Sequence, residues 1–99
     1  MIVAEFSMVP MGSGTSAGDY IKAIHDLLNE TGVTFIPGPM STAVQASSLQ
    51  ELFALVEKAN HRLVQMGVQR IITSIRIDMR LDREISLESK LSRLEAGQQ

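Results

Sequence analysis

The chain has 99 residues, 44% hydrophobic and 20% charged, with a net charge of −2, which describes one small globular domain with a thin folding margin and excludes the basic footprint of a nucleic-acid binder. It contains no cysteine, so a disulfide scaffold, a thiolate zinc site and a cysteine nucleophile are excluded, and a secreted small domain becomes a poor fit. No basic segment precedes the opening apolar run, which Glu5 breaks, and no apolar stretch approaches the roughly 20 residues of a membrane span; a cytoplasmic location is the expectation.

Ile2–Val9 alternates loosely and is rich in β formers, which predicts a first strand. Pro10-Met11-Gly12-Ser13-Gly14 reads as a loop, after which Thr15 or Ser16 caps a helix. Ile21, Ile24, Leu27 and Leu28 give that helix an apolar stripe, and Gly32 stops it. Val33–Ile36 is a short second strand. Pro37-Gly38-Pro39 is a turn in which proline sets φ and glycine is free to take a positive φ, and Met40–Ala46 is a third strand.

Ser48-Leu49-Gln50-Glu51 is a capping box that opens a second helix. The expected apolar face of that helix is Leu49, Leu52, Phe53, Val56, Ala59 and Leu63, with Gly67 as its end. Arg70–Arg80 sets Ile71, Thr73, Ile75, Ile77 and Met79 on one face and Arg70, Ile72, Ser74, Arg76, Asp78 and Arg80 on the other, which predicts a long fourth strand. A last helix near Ser86–Leu94 shows Leu87, Leu91 and Leu94 on one side; Ala96–Gln99 reads as a flexible tail, so residues 1–95 form the single domain.

The order β-α-β-β-α-β suggests two split βαβ units, the ferredoxin-like arrangement: an α+β sandwich with an antiparallel four-stranded sheet and an added C-terminal helix. Right-handed crossovers place both long helices on one face. The first and third strands are then central, and the second and fourth are edges. A long isoleucine-rich edge is an aggregation hazard unless paired. The face away from the helices would carry Val3, Val9 and Ile72 beside Glu5, Ser7 and Arg76. Both features point to a homo-oligomer, dimer or tetramer, through strand 70–80 and the open sheet face.

The candidate chemistry is modest. The glycine-rich stretch before the first helix could bring backbone N–H groups to a ligand, but it lacks the P-loop lysine and the dinucleotide spacing; the bland alternative is a turn with an N-cap. Met40, Ser41 and Thr42 follow a turn, and their thioether and hydroxyls could line a small pocket. Glu5, alone in an apolar strand, needs a partner, and Arg76 is the candidate if the first and fourth strands are neighbours. His25 and His61 read as surface residues, with no second metal ligand at a useful spacing.

The fold hosts many functions, and several are excluded. An acylphosphatase-like enzyme needs an arginine after the first strand, whereas the first arginine here is Arg62. An RNA-recognition sheet needs aromatics, whereas the only four are Phe6, Tyr20, Phe35 and Phe53. A metallochaperone needs a cysteine pair. Neither a Ser/His/Asp constellation nor paired internal carboxylates are visible. What remains suits a binding module without catalysis.

Glu5-Phe6-Ser7-Met8-Val9-Pro10, Gly14-Thr15-Ser16, Gly38-Pro39-Met40-Ser41-Thr42 and Arg70 to Arg80 together resemble, in order and over nearly the whole chain, the YkoF-like thiamine-binding protein family. The resemblance implies a tetramer built from dimers. It also implies non-catalytic binding of thiamine or its hydroxymethylpyrimidine moiety, in cytoplasmic salvage or transport, with no other cofactor and no metal. It carries over Glu5, Ser7, Thr15, Ser16, Ser41 and Thr42 as ligand-binding residues, to which Met40 is added from the turn. Two alternatives stay open: an oligomeric regulatory or interaction module of the same fold with no small ligand, and an enzyme acting on a related metabolite.

Overall fold

The alternating sequence does form the expected sheet, seen here in a computed structural model that describes residues 1–12, 17–38 and 40–97. In chain order the elements are β1 (Ile2–Met11), α1 (Ala17–Thr31), β2 (Thr34–Pro37), β3 (Thr42–Ala46), α2 (Leu49–Gln65), β4 (Arg70–Met79) and α3 (Leu87–Gly97). The strand order is β2-β3-β1-β4, antiparallel throughout. This is the α+β sandwich that the element order implied, with β1 and β3 central.

Register follows from burying one face of each strand. Ile2, Ala4 and Phe6 of β1 join Val44 and Ala46 of β3 against Tyr20, Ile24 and Leu28 of α1 and Leu52, Leu55 and Leu63 of α2. Burying side chains of this size is worth about 1.5–3 kcal/mol each, so this layer carries most of the stability. Its helices close as the chemistry dictates. Gly32 and Gly67 take positive φ at the ends of α1 and α2, where a side chain would be strained.

At the start of α2, Ser48 accepts from the Glu51 N–H at 3.1 Å. The Glu51 carboxylate does not return the bond to Ser48. It accepts instead from the Ser47 N–H at 3.4 Å and from the Ser47 hydroxyl.

Several boundaries differ from expectation. β1 runs on to Met11, because its last residues pair with β4, down to Met11 opposite Arg70. Pro10 is tolerated there since β3 has already ended and β1 is locally an edge. β2 is shifted to Thr34–Pro37, and β3 starts at Thr42 rather than Met40.

The apolar face of α2 is rotated from the expected one. Leu55 is buried, whereas Leu49 and Phe53 face outward, Phe53 at 50% exposure. Ile21 of α1 is likewise exposed, and Tyr20 takes a buried place instead. α3 continues to Gly97, two residues into the expected tail, because Glu95 and Ala96 are good helix formers. Residues 98 and 99 lie outside the described residues.

The opposite face of the sheet is only partly covered. Val3 is buried with Ile85 and Leu87, against which Ile36 and Ala43 pack. α3 is pinned there by the Leu87 N–H donating to Gln45 Oε1 at 3.0 Å and by Lys90 reaching Asp78 at 2.5 Å. Ser86 and Ser89 cap it reciprocally, each N–H donating to the other's hydroxyl. Val9 and Ile72 stay exposed.

Candidate functional site

Two cavities bear on the candidate residues, and the way β1 outruns β3 decides where one of them lies. β3 pairs with β1 only as far as Thr42 opposite Phe6. Beyond that point Ser7–Met11 pair with β4 alone, and Met40 and Ser41 lie outside β3. The gap so created, walled by α1, is a cavity of about 150 Å³ lined by Phe6, Ser7, Met8, Val9, Ile21, Ile24, His25, Gly38, Met40, Ser41 and Thr42.

The turn that shapes this gap depends on Gly38. Its N–H donates to the Ser41 carbonyl at 2.9 Å. A Cβ on Gly38 would lie 2.6 Å from that same oxygen. Glycine is therefore needed for close approach and not for the positive φ expected from the sequence; Gly38 does not adopt one.

The polar groups of the cavity are hydroxyls and one imidazole. His25 Nε2 lies 3.4 Å from Thr42 Oγ1, and the ring sits on Phe35 with centroids 5.7 Å apart at 32°. His25 is thus a half-buried residue lining the cavity, not the surface residue expected. Its signal was present in the sequence: it lies four residues after Ile21 and three before Leu28, on the apolar stripe of α1. Met40 stands at 87% exposure beside the mouth. Hydroxyls both donate and accept, as the two nitrogens of a neutral imidazole do between them. The cavity can therefore match an alternating donor–acceptor edge on a flat ring.

Glu5 lies on the other face of the sheet, as the strand alternation requires, and connects the two sides. Ser41 Oγ donates to Glu5 Oε2 at 3.0 Å, and Arg76 Nη1 donates to Glu5 Oε1 at 3.2 Å. The pairing with Arg76 is the one the sequence suggested, made because Glu5 and Arg76 are directly opposed across β1 and β4. Glu5 and Arg76 also line the second cavity, a groove of about 530 Å³ under α3, floored by Val3, Ile36 and Ala43.

Of the expected site residues, the structure gathers Ser7, Met40, Ser41 and Thr42 around one cavity and ties Glu5 to it through Ser41. Thr15 and Ser16 lie outside the described residues. Among the described residues, no group of three or more histidine, aspartate or glutamate side chains is placed to hold a metal ion. No helix there is long and apolar enough to cross a membrane.

Comparison with known proteins adds to this geometry. A family model described as "Thiamine-binding protein" matches residues 4–95. A UPF0045 protein of Methanothermobacter thermautotrophicus is 33% identical over 92 residues, covering 92% of this chain and 93% of that one. The UPF0045 protein YqgV of Bacillus subtilis is 31% identical over 96 residues, covering 92% and 91%. Among solved structures, a hypothetical protein of Methanocaldococcus jannaschii superposes with a TM-score of 0.81 at 30% identity, covering 95% of each chain. A Thermotoga maritima protein, for which a thiamine biosynthesis or salvage role has been suggested, shares the fold at 19% identity, with a TM-score of 0.78 and coverage of 94% and 97%.

Proposed function

We propose, from the fact that this chain belongs to the thiamine-binding protein family, that it is a non-catalytic binding protein whose α1–β3 cavity holds the pyrimidine ring of thiamine or free hydroxymethylpyrimidine. The observation that carries the reading is the clustering of Ser7, His25, Ser41 and Thr42 in one small cavity. A space of about 150 Å³ accommodates a single aromatic ring. The apolar walls from Phe6, Ile21 and Ile24 suit the faces of such a ring, and the hydroxyls suit its ring nitrogens and exocyclic amine.

The remainder of thiamine would project past Met40 to solvent. Binding without turnover is part of the same proposal. His25 is the one titratable side chain among the described lining residues, and general acid–base work calls for a positioned pair or a substrate-directed base. A role in cytoplasmic salvage or transport of thiamine or its precursor, carried out by a homo-oligomer, completes the proposal.

The test is calorimetric and thermal titration with thiamine, its phosphates and hydroxymethylpyrimidine. Saturation at about 100 times Kd should stabilise the fold by about 2.7 kcal/mol, a melting shift on the order of 10 °C for a domain this size. Ser41→Ala and Thr42→Ala should each weaken binding by about 0.5–1.5 kcal/mol. A flat response to every ligand would overturn the proposal and favour the interaction-module reading.

A further inference from the structure

The polar side chains of the α1–β3 cavity differ in their freedom to donate and accept. Thr42 stands in the helix-facing row of β3 with Val44 and Ala46, and it is the one buried polar side chain among the described residues. Its partner is His25 Nε2 at 3.4 Å. A neutral imidazole nitrogen donates in one tautomer and accepts in the other. Thr42 can therefore turn either its O–H or a lone pair toward the cavity.

Ser41 has no such choice. Glu5 is opposite Ala43 across β1 and β3, so Ser41, two residues before Ala43, is its diagonal neighbour on the same face. The Ser41 hydroxyl donates to Glu5 Oε2 at 3.0 Å. An ionised carboxylate only accepts, and a hydrogen bond to one is roughly twice as strong as a neutral one. The single hydroxyl hydrogen of Ser41 is thus committed to Glu5, and Oγ keeps only lone pairs for any further contact. The other carboxylate oxygen, Oε1, is occupied by Arg76 Nη1 at 3.2 Å, from the facing position of β4.

We propose that Glu5, from the other face of the sheet, determines the specificity of this cavity by acting through Ser41. It makes Ser41, which lines the cavity, an obligate acceptor. The cavity then selects a ring that carries an N–H donor on its edge over the same ring bearing ring nitrogens alone. This rests on the reading of the cavity as a ring-binding site. When the ligand brings no donor, the Ser41 lone pairs face those of a ring nitrogen, and the Ser41 O–H cannot turn to meet it as that of Thr42 can. Glu5 is a positioning residue here, a role distinct from the direct ligand contact that the family resemblance implies. Arg76 has the smaller share, because its side chain is 86% exposed and an exposed ion pair contributes little.

The test is calorimetry with two ligands: hydroxymethylpyrimidine, and the same ring with hydrogen in place of its amine. The wild type should prefer the amine by about tenfold or more, since a polar group left unmatched is costly. Glu5→Gln keeps the shape of the side chain but can donate as well as accept, which frees Ser41 to turn; the preference should shrink to about threefold or less. Ser41→Ala should remove the same preference. Adding Glu5→Gln to Ser41→Ala should change it no further, as expected of a residue that acts through another. His25→Gln, whose amide also donates or accepts, should keep the preference, which places the discrimination at Ser41. A role for Glu5 in stability alone would weaken both ligands equally and leave their ratio untouched.

Equal binding of the two rings by the wild type overturns the inference and leaves the reading of the cavity intact. So does a Glu5→Gln protein that keeps the full preference. If neither ring binds, the reading of the cavity falls and this inference falls with it.

Discussion

Two regions of the sheet are finished in opposite ways. At the α1–β3 corner, β3 stops early and the gap fills with hydroxyls, an imidazole and a tight glycine turn. At the α2–β4 flank, a ten-residue strand runs uninterrupted and the side chains left outside are Phe53, Ile77 and Met79. One region places donors and acceptors around a ring-sized space; the other places apolar surface beside unpaired backbone. The same fold thus separates a polar, concave region from a flat, apolar one, and a substitution in one should spare the other.

The contrast breaks most sharply within α2. Leu63 is fully buried and its neighbour Val64 is 55% exposed. Leu63→Ala should cost about 2–5 kcal/mol, whereas Val64→Ala should stay within roughly 0.5 kcal/mol; denaturant melts of the pair decide it, and equal losses would mean that the helix is rotated from the position described. Next in size is Gly38→Ala. The clash with the Ser41 carbonyl should cost about 1–3 kcal/mol and lower ligand affinity, with the oligomer mass unchanged; a simultaneous loss of assembly would show that the two regions are not separate.

Smaller still is Lys90→Met, which removes a half-exposed ion pair to Asp78 and should cost no more than about 1 kcal/mol, read as a small shift in melting temperature. The smallest effect belongs to Asp82. The Arg80 guanidinium, followed by a backbone hydrogen bond, holds its carboxyl below the usual aspartate range. A depressed carboxyl stabilises the fold above its ordinary titration range and loses that contribution as pH falls through the lowered value. Carbon-13 titration of Asp82 should show the depressed midpoint, and Arg80→Ala should raise it toward the usual range without removing the backbone contribution.

Much of this was legible in the sequence. Isoleucine alternation gave β4, the order of elements gave the strand arrangement, and the spacing of Glu5 and Arg76 anticipated their pairing once β1 and β4 were neighbours. The ordered motifs pointed to the right family. What was not legible depends on three dimensions. Helical periodicity shows that α2 has apolar positions, but two stripes a third of a turn apart cannot be ranked until the sheet beneath is placed, and so Phe53 was assigned to the core. A glycine after proline suggests a special φ, while the approach of the Ser41 oxygen to Gly38 comes from residues three further along. His25 was passed over because its nearest neighbours in sequence are polar on one side, although its helical neighbours Ile21 and Leu28 are not.

β1 beyond Phe6 has a β4 partner on one side only, and Ser7, Met8 and Val9 border the cavity on the other. Amide groups there are supplied by the course of the backbone, whatever side chains it carries. Recognition written in the main chain survives substitution of side chains. An insertion lengthening β3 by two residues would seal the gap without altering a single side chain that lines it.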